Sequence, residues 1–199
     1  MRVLIVGAEG TVGKAAAGEL GRRHEIIKAG RNSGKIKVDL ADEASIRAMF
    51  KKLGKLDAII ATAGHVHFGP LATMTGEQFR KGLLDKLLGQ VNLALIGQHY
   101  LNDGGSITLT SGVLDRDPIR QGANAAAVNG ALGAFAKSAA IEMQRGIRIN
   151  VVSPGLLEDS VKKYEGFFPG HEPVSSSRVG LAFAKSVEGA LTGQVIIIA

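Results

Sequence analysis

The chain has 199 residues, 45% hydrophobic and 21% charged, which suits one soluble core and excludes a disordered or low-complexity segment. The net charge of +6 is concentrated early, with eight basic and four acidic side chains in residues 1–40, a mild field that favours phosphates. Only 5% of residues are aromatic and none is Trp, so no base-stacking platform is available and a nucleic-acid partner is not expected; the lack of cysteine removes disulfides and thiolate metal sites.

Apolar runs of strand length alternate with helical patterns along the chain. Residues 2–6 read as a short buried strand, and 11–23 as a helix opened by Thr11. Strands follow at 25–29 and 35–38. Asp42 caps a helix over 43–53, where Ile46, Met49, Phe50 and Leu53 form one face. A strand at 57–61 ends in Thr62-Ala63-Gly64, and helices over about 76–102 precede a strand at 106–110. A small-residue helix spans about 122–145, and the strand 147–152 stops at Pro154-Gly155. Residues 153–174 read as a long loop or lid, followed by a helix at about 175–189 and a strand at 194–198. Strands buried on both faces and joined by helices predict a single α/β domain, a doubly wound parallel sheet of Rossmann type in three layers. No apolar run approaches the roughly 18 residues of a spanning helix, and no signal-peptide pattern opens the chain. The expectation is a cytoplasmic protein without membrane contact.

The first strand runs into Gly7-Ala8-Glu9-Gly10-Thr11-Val12-Gly13 and then a helix. This Gly-x-x-Gly-x-x-Gly spacing has the mechanics of a dinucleotide site. Gly7 allows the tight turn, Gly10 lets a pyrophosphate approach the backbone, and Gly13 lets the helix pack on the strand. The helix N-terminus then offers its N–H groups and dipole to phosphate. After the second strand come Gly30-Arg31-Asn32-Ser33 instead of the usual ribose-binding acid. Arg31 and Ser33 suit a 2′-phosphate, so NADP is expected, with NAD as the alternative; Glu9 opposes this if it faces the ribose.

Further segments match the short-chain dehydrogenase/reductase family in order along nearly the whole chain. Val38-Asp39-Leu40 resembles the family's adenine-contacting segment, and Ala61-Thr62-Ala63-Gly64 resembles its Asn-Asn-Ala-Gly turn. Thr110-Ser111-Gly112 resembles the strand end carrying the catalytic Ser. Ala126-Ala127-Val128-Asn129-Gly130 and Ala140-Ile141-Glu142 resemble the helix behind the active site. Arg148-Ile149-Asn150-Val151-Val152-Ser153-Pro154-Gly155 is the most specific match, and it implies that the nicotinamide amide meets the backbone of Leu156 and Leu157.

The family resemblance implies a tetrad of Asn, Ser, Tyr and Lys. Anchored on Ala126-Ala127-Val128-Asn129-Gly130, the Tyr and Lys positions fall on Gln121 and Ala125, neither able to donate a proton. The stretch from Ser111 to Gln121 is then a few residues short. The Asn position falls on Lys86, in Lys86-Leu87-Leu88-Gly89, and the chain is identified as a member of a short branch of the family with this Lys and no catalytic Tyr. Ser111, Lys86 and Gln121 are therefore the catalytic candidates. His65, His67 and Tyr164 are substitutes of lower rank, and the histidines have no metal-ligand spacing. The implied activity is hydride transfer between NADP(H) and an unidentified carbonyl or alcohol, the alternative being a nucleotide sensor without turnover. Ala126, Gly130, Gly133 and Ala134 leave the long helix smooth for a partner, so a homodimer or homotetramer is expected.

Overall fold

The computed structural model describes residues 1–32 and 34–199. Ser33, one of the residues expected to meet a 2′-phosphate, lies outside them. Seven parallel strands form one sheet in the order β3-β2-β1-β4-β5-β6-β7. They are β1 (Arg2–Val6), β2 (Glu25–Gly30), β3 (Ile36–Lys37), β4 (Leu56–Ala61), β5 (Leu101–Thr110), β6 (Arg148–Pro154) and β7 (Val195–Ile198). The helices are α1 (Thr11–Leu20), α2 (Glu43–Leu53), α3 (Gly76–Gly82), α4 (Gly89–Gly97), α5 (Ala123–Glu142) and α6 (Ser176–Glu188).

The sheet separates two apolar cores. One joins Leu4, Phe50, Ile59, Leu93 and Val128 beneath α2, α4 and α5. The other joins Val3, Ile5, Leu20, Ile60 and Phe183 beneath α1 and α6. Covered on both faces, β1 is apolar from Val3 to Val6 and β4 from Ala58 to Ala61, as parallel strands require. Helices on two faces of a parallel sheet make this the doubly wound arrangement expected from the sequence, whose ligand crevice lies at the carboxyl ends of β1 and β4, where strand order reverses.

Three local departures matter. The helical stretch before β5 is not uniform: residues Leu83–Leu88 form a π-helical turn between α3 and α4. β5 begins at Leu101 instead of residue 106, because Leu101 pairs with Leu56 across a register shift. At the other end, Thr110 extends past the last residue that β4 pairs, Ile60 against Thr108. The fully buried Gln90 fills that gap, donating from Nε2 to Thr110 O (3.0 Å) and accepting from Thr110 N (2.8 Å). Its amide does what one more residue of strand would do, so no buried backbone group is orphaned there.

The expected lid, residues 153–174, is a loop with two short 3₁₀ turns after the end of β6. Its neck is tied shut. Val174 N donates to Leu156 O at 2.7 Å and Glu158 N to Val174 O at 3.0 Å, so the ends of the loop lie side by side.

Candidate active site

The carboxyl ends of β1, β4, β5 and β6 surround a cavity of about 290 Å³. Its nucleotide side is built from Gly10, Thr11, Val12, Thr62, Ala63, Gly64 and the segment Pro154–Leu157. No side chain caps α1, so the N–H groups of its first turn must be satisfied from outside the helix, which fits a diphosphate. Gly7 turns the chain at φ +88°, and a Cβ there would lie 2.8 Å from Ala63 N. Gly7 and Gly13 shape this loop without lining the cavity, and Glu9 lines the adjoining groove along α1. The residues therefore fit a dinucleotide lying across the end of β1.

On the adenine side of that loop, Arg31 donates to Asp39 Oδ1 at 2.9 Å and to Asp85 Oδ1 at 3.4 Å. The Ala41 N–H, and then Arg31, hold the Asp39 carboxyl below the ordinary range. Asn32 follows Arg31 and is exposed; its carbonyl accepts from Lys37 Nζ at 2.9 Å. Glu9 pairs with Lys28 at 3.1 Å, which offsets its charge near a ribose. Leu40 and Ala61 are buried in the core beneath α4, outside the cavity.

Lys86 reaches the centre of the cavity from the π-helical turn. The wider turn brings its backbone against Gly64, whose φ is +129° and whose Cβ, if present, would lie 2.6 Å from Lys86 Cα. Lys86 Nζ donates to Asn129 Oδ1 at 2.7 Å and to Ser111 O at 3.1 Å. An ammonium has three N–H donors, so one remains without a protein acceptor among the described residues. The side chain keeps some access to solvent through the cavity mouth, yet its surroundings are densely packed with protein atoms. That desolvation lowers its pKa to about 8, against an opposing pull from the Asp115 carboxylate.

Ser111 lines the cavity, and its Oγ donates to Asp115 Oδ2 at 3.3 Å. Ser153 Oγ donates to the same oxygen at 3.1 Å, while Arg116 pairs with Asp115 at 2.8 Å and donates to Ser153 Oγ at 2.7 Å. This cluster was not legible in the sequence, because its members come from two strand ends and a short turn.

Gln121 is the main correction. It is exposed, has φ +65°, and lies before α5 without lining the cavity; its carbonyl accepts from Gly69 N at 3.1 Å. The α5 residues that do line the cavity are Ala125 and Asn129, four apart on one face. These two sit one helical turn after Gln121 and Ala125, the positions that the family resemblance implies. Asn129 was missed, although a polar residue in an Ala-rich stretch is its signal. His65 pairs with Asp85 at 2.8 Å and His67 lies outside the cavity, whereas Tyr164 lines it from the lid. Among the described residues no group of His, Asp or Glu could hold a metal ion, and no helix is long and apolar enough to cross a membrane.

Residues 7–179 match a family model described as enoyl-(acyl carrier protein) reductase. Tetrahydroxynaphthalene reductase of Pyricularia oryzae is 26% identical, over 97% of this chain and 86% of its own. L-fucose dehydrogenase of Oryctolagus cuniculus is 33% identical over 60% of this chain, but the match spans only 45% of the enzyme. Among solved structures, the protein lin1944 of Listeria innocua is 50% identical over the whole of both chains, with a TM-score of 0.98. A small-chain dehydrogenase in complex with NADPH is 28% identical, covering 100% of this chain and 96% of its own, with a TM-score of 0.87. The seven-stranded sheet, the glycine loop and these matches agree: the chain belongs to the short-chain dehydrogenase/reductases, a family that binds NAD(P).

Proposed function

We propose that the protein is an NADP(H)-dependent oxidoreductase in which Lys86 takes over the work of a missing Tyr-x-x-x-Lys pair. The observation that carries this is the fixed ammonium of Lys86, held by Asn129 and Ser111 inside a cavity whose other wall suits a dinucleotide. The two positions one turn apart that face the cavity from α5 are Ala125 and Asn129. Neither titrates, so neither replaces the Tyr or the Lys of the family resemblance.

NADP is preferred over NAD because Arg31 offers a guanidinium at the end of β2 and Lys28 offsets Glu9. Gly10, Thr11 and Val12 take the diphosphate, Asp39 and Arg31 the adenosine end, and Thr62, Ala63, Gly64 and Pro154–Leu157 the nicotinamide end. When bound, NADPH supplies the hydride. Lys86 then faces the oxygen on which negative charge develops, and a pKa near 8 suits proton donation at neutral pH. Ser111 orients that oxygen by turning its one O–H, which donates to Asp115 in the empty cavity, toward the acceptor.

Assembly as a homodimer or homotetramer is part of the same reading. Leu95 on α4 is 49% exposed and Ile141 on α5 is 87% exposed, an apolar pair that a second copy would cover. A regulatory sensor gains no support, since the named relatives are a reductase and a dehydrogenase.

The test is a fluorescence titration with NADPH and NADH, followed by absorbance at 340 nm with a panel of carbonyl compounds. The expected result is tighter binding of NADPH and turnover of some acceptor that falls in Ser111→Ala. Binding without turnover of any acceptor would remove the oxidoreductase reading, and no binding of either nucleotide would remove the whole proposal.

A further inference from the structure

The part of the cavity not claimed by the glycine loop is largely apolar. Val113, Leu114 and Ala125 form a cluster against which Val66, Phe68 and Phe168 pack, and Tyr164 lines the cavity from the lid. The three aromatic rings pack on one another, with Phe68 to Tyr164 at 6.2 Å and Tyr164 to Phe168 at 5.8 Å between centroids. Two cations, Lys86 and Lys163, line the cavity, and among the described residues no carboxylate does. Ala125, which also lines the cavity, presents only a methyl group to it.

From this arrangement we propose that the acceptor is a small quinone, bound flat under the lid with one carbonyl oxygen against Lys86. The inference rests on the NADPH-dependent reading above and supplies its substrate class.

The basicity of the product oxygen decides what the site must supply. Reduction of an ordinary ketone forms an alkoxide, about as basic as hydroxide from bulk water (pKa about 15.7), so a strong, well-placed proton donor is needed during the step. Reduction of a quinone forms a phenolate instead, whose conjugate acid titrates near 10, as tyrosine does. Such an anion needs a nearby positive charge more than a tuned acid. The site offers that charge, and Tyr164 makes no hydrogen bond to Ser111 or Lys86. The electrons balance. The hydride of NADPH forms an O–H bond at one carbonyl oxygen, and the displaced π electrons run through the ring as it becomes aromatic. They end on the other oxygen as phenolate, against Lys86. The ammonium gives that oxygen its proton and is recharged from solvent, and hydroquinone and NADP⁺ leave.

The closing experiment compares 1,4-naphthoquinone with α-tetralone, a bicyclic ketone of similar size, at 340 nm after subtraction of the uncatalysed rate. Wild type is expected to favour the quinone by about tenfold or more. Lys86→Met should lose about a hundredfold. A cofactor-free readout accompanies it: 4-nitrophenol, a product mimic, is titrated by its phenolate absorbance in the presence of each protein. Bound to wild type its pKa should fall by about one unit, and bound to Lys86→Met it should not. Equal turnover of α-tetralone overturns the quinone assignment and leaves the NADPH reading standing. Undiminished turnover in Lys86→Met, or the same nitrophenol pKa in both proteins, overturns it as well. Failure to bind NADPH removes both readings.

Discussion

Replacing Gln90 by Leu tests whether its amide truly stands in for a missing residue of strand. The side chain is fully buried and satisfies both Thr110 N and Thr110 O, at 2.8 and 3.0 Å. Leu has similar bulk, so the packing loss is small and the penalty falls on two orphaned backbone groups. At about 1–3 kcal/mol each, the variant should lose about 2–6 kcal/mol, a large share of a domain's usual 5–15 kcal/mol. Gln90→Glu sharpens the test. A protonated carboxyl keeps one donor and one acceptor and restores both bonds, whereas a carboxylate presents a lone pair to Thr110 O. The folded-state pKa of that Glu is therefore raised above its unfolded value. Its contribution to stability is fully present below the unfolded pKa, near 4.3, and is lost as pH rises through the folded pKa. Urea midpoints measured from pH 4.5 to 8 should show Gln90→Glu close to wild type at the acid end and widening toward neutrality, with Gln90→Leu low throughout. A loss below about 1 kcal/mol in Gln90→Leu, or a Gln90→Glu gap that ignores pH, would refute the reasoning.

Three further outcomes are expected. Lys86 has a folded pKa of about 8 against an ordinary 10.5, so it is charged in both states below pH 8 and costs the fold a constant amount there. As pH rises from about 8 toward 10.5 that cost is relieved, and wild type should gain up to about 3 kcal/mol relative to Lys86→Gln in paired denaturation curves. Gly64→Ala should lower stability by about 2 kcal/mol, because φ +129° and the 2.6 Å approach to Lys86 Cα both exclude a methyl group. In a chain of this length that corresponds to about 4–8 °C in Tm by differential scanning calorimetry, with NADPH oxidation falling further as Lys86 moves. Arg31→Ala should weaken NADPH about tenfold or more in a fluorescence titration while changing NADH far less; equal losses for both would remove the 2′-phosphate role of Arg31.

The βα ends on the nucleotide side of the cavity were legible because glycine spacing and strand length are local properties. Val3 to Val6, the glycine loop and α1 follow from a few residues of chemistry each. The active-site half was harder for a physical reason. Lys86 is delivered by a π-helical turn, and Leu83–Leu88 carries no residue that forbids an ordinary α-helix. On α5, the Ala-rich stretch looks alike when shifted by four residues, which keeps the same face, so Gln121 and Ala125 were as good a match as Ala125 and Asn129. Tertiary contacts break the tie: Asn129 meets Lys86 and Gly112, whereas Gln121 turns outward before the helix begins. The Asp115 cluster joins side chains 37 or 38 positions apart through Ser153, a distance that no spacing rule covers.

The tied neck of the lid bears on how such a protein can change. Leu156, Glu158 and Val174 close the segment on itself, so the residues between them form a bracket hung from one point of the sheet. Lengthening a loop whose ends already meet costs little, since each doubling adds only about 0.6 kcal/mol of closure entropy. Under the proposed function, the lid residues Tyr164, Phe167 and Phe168 can thus be exchanged together as a cassette, while the strand ends proposed to hold the nucleotide keep their register. Acceptor range and nucleotide grip are inherited separately in this architecture, and drift in one leaves the other intact.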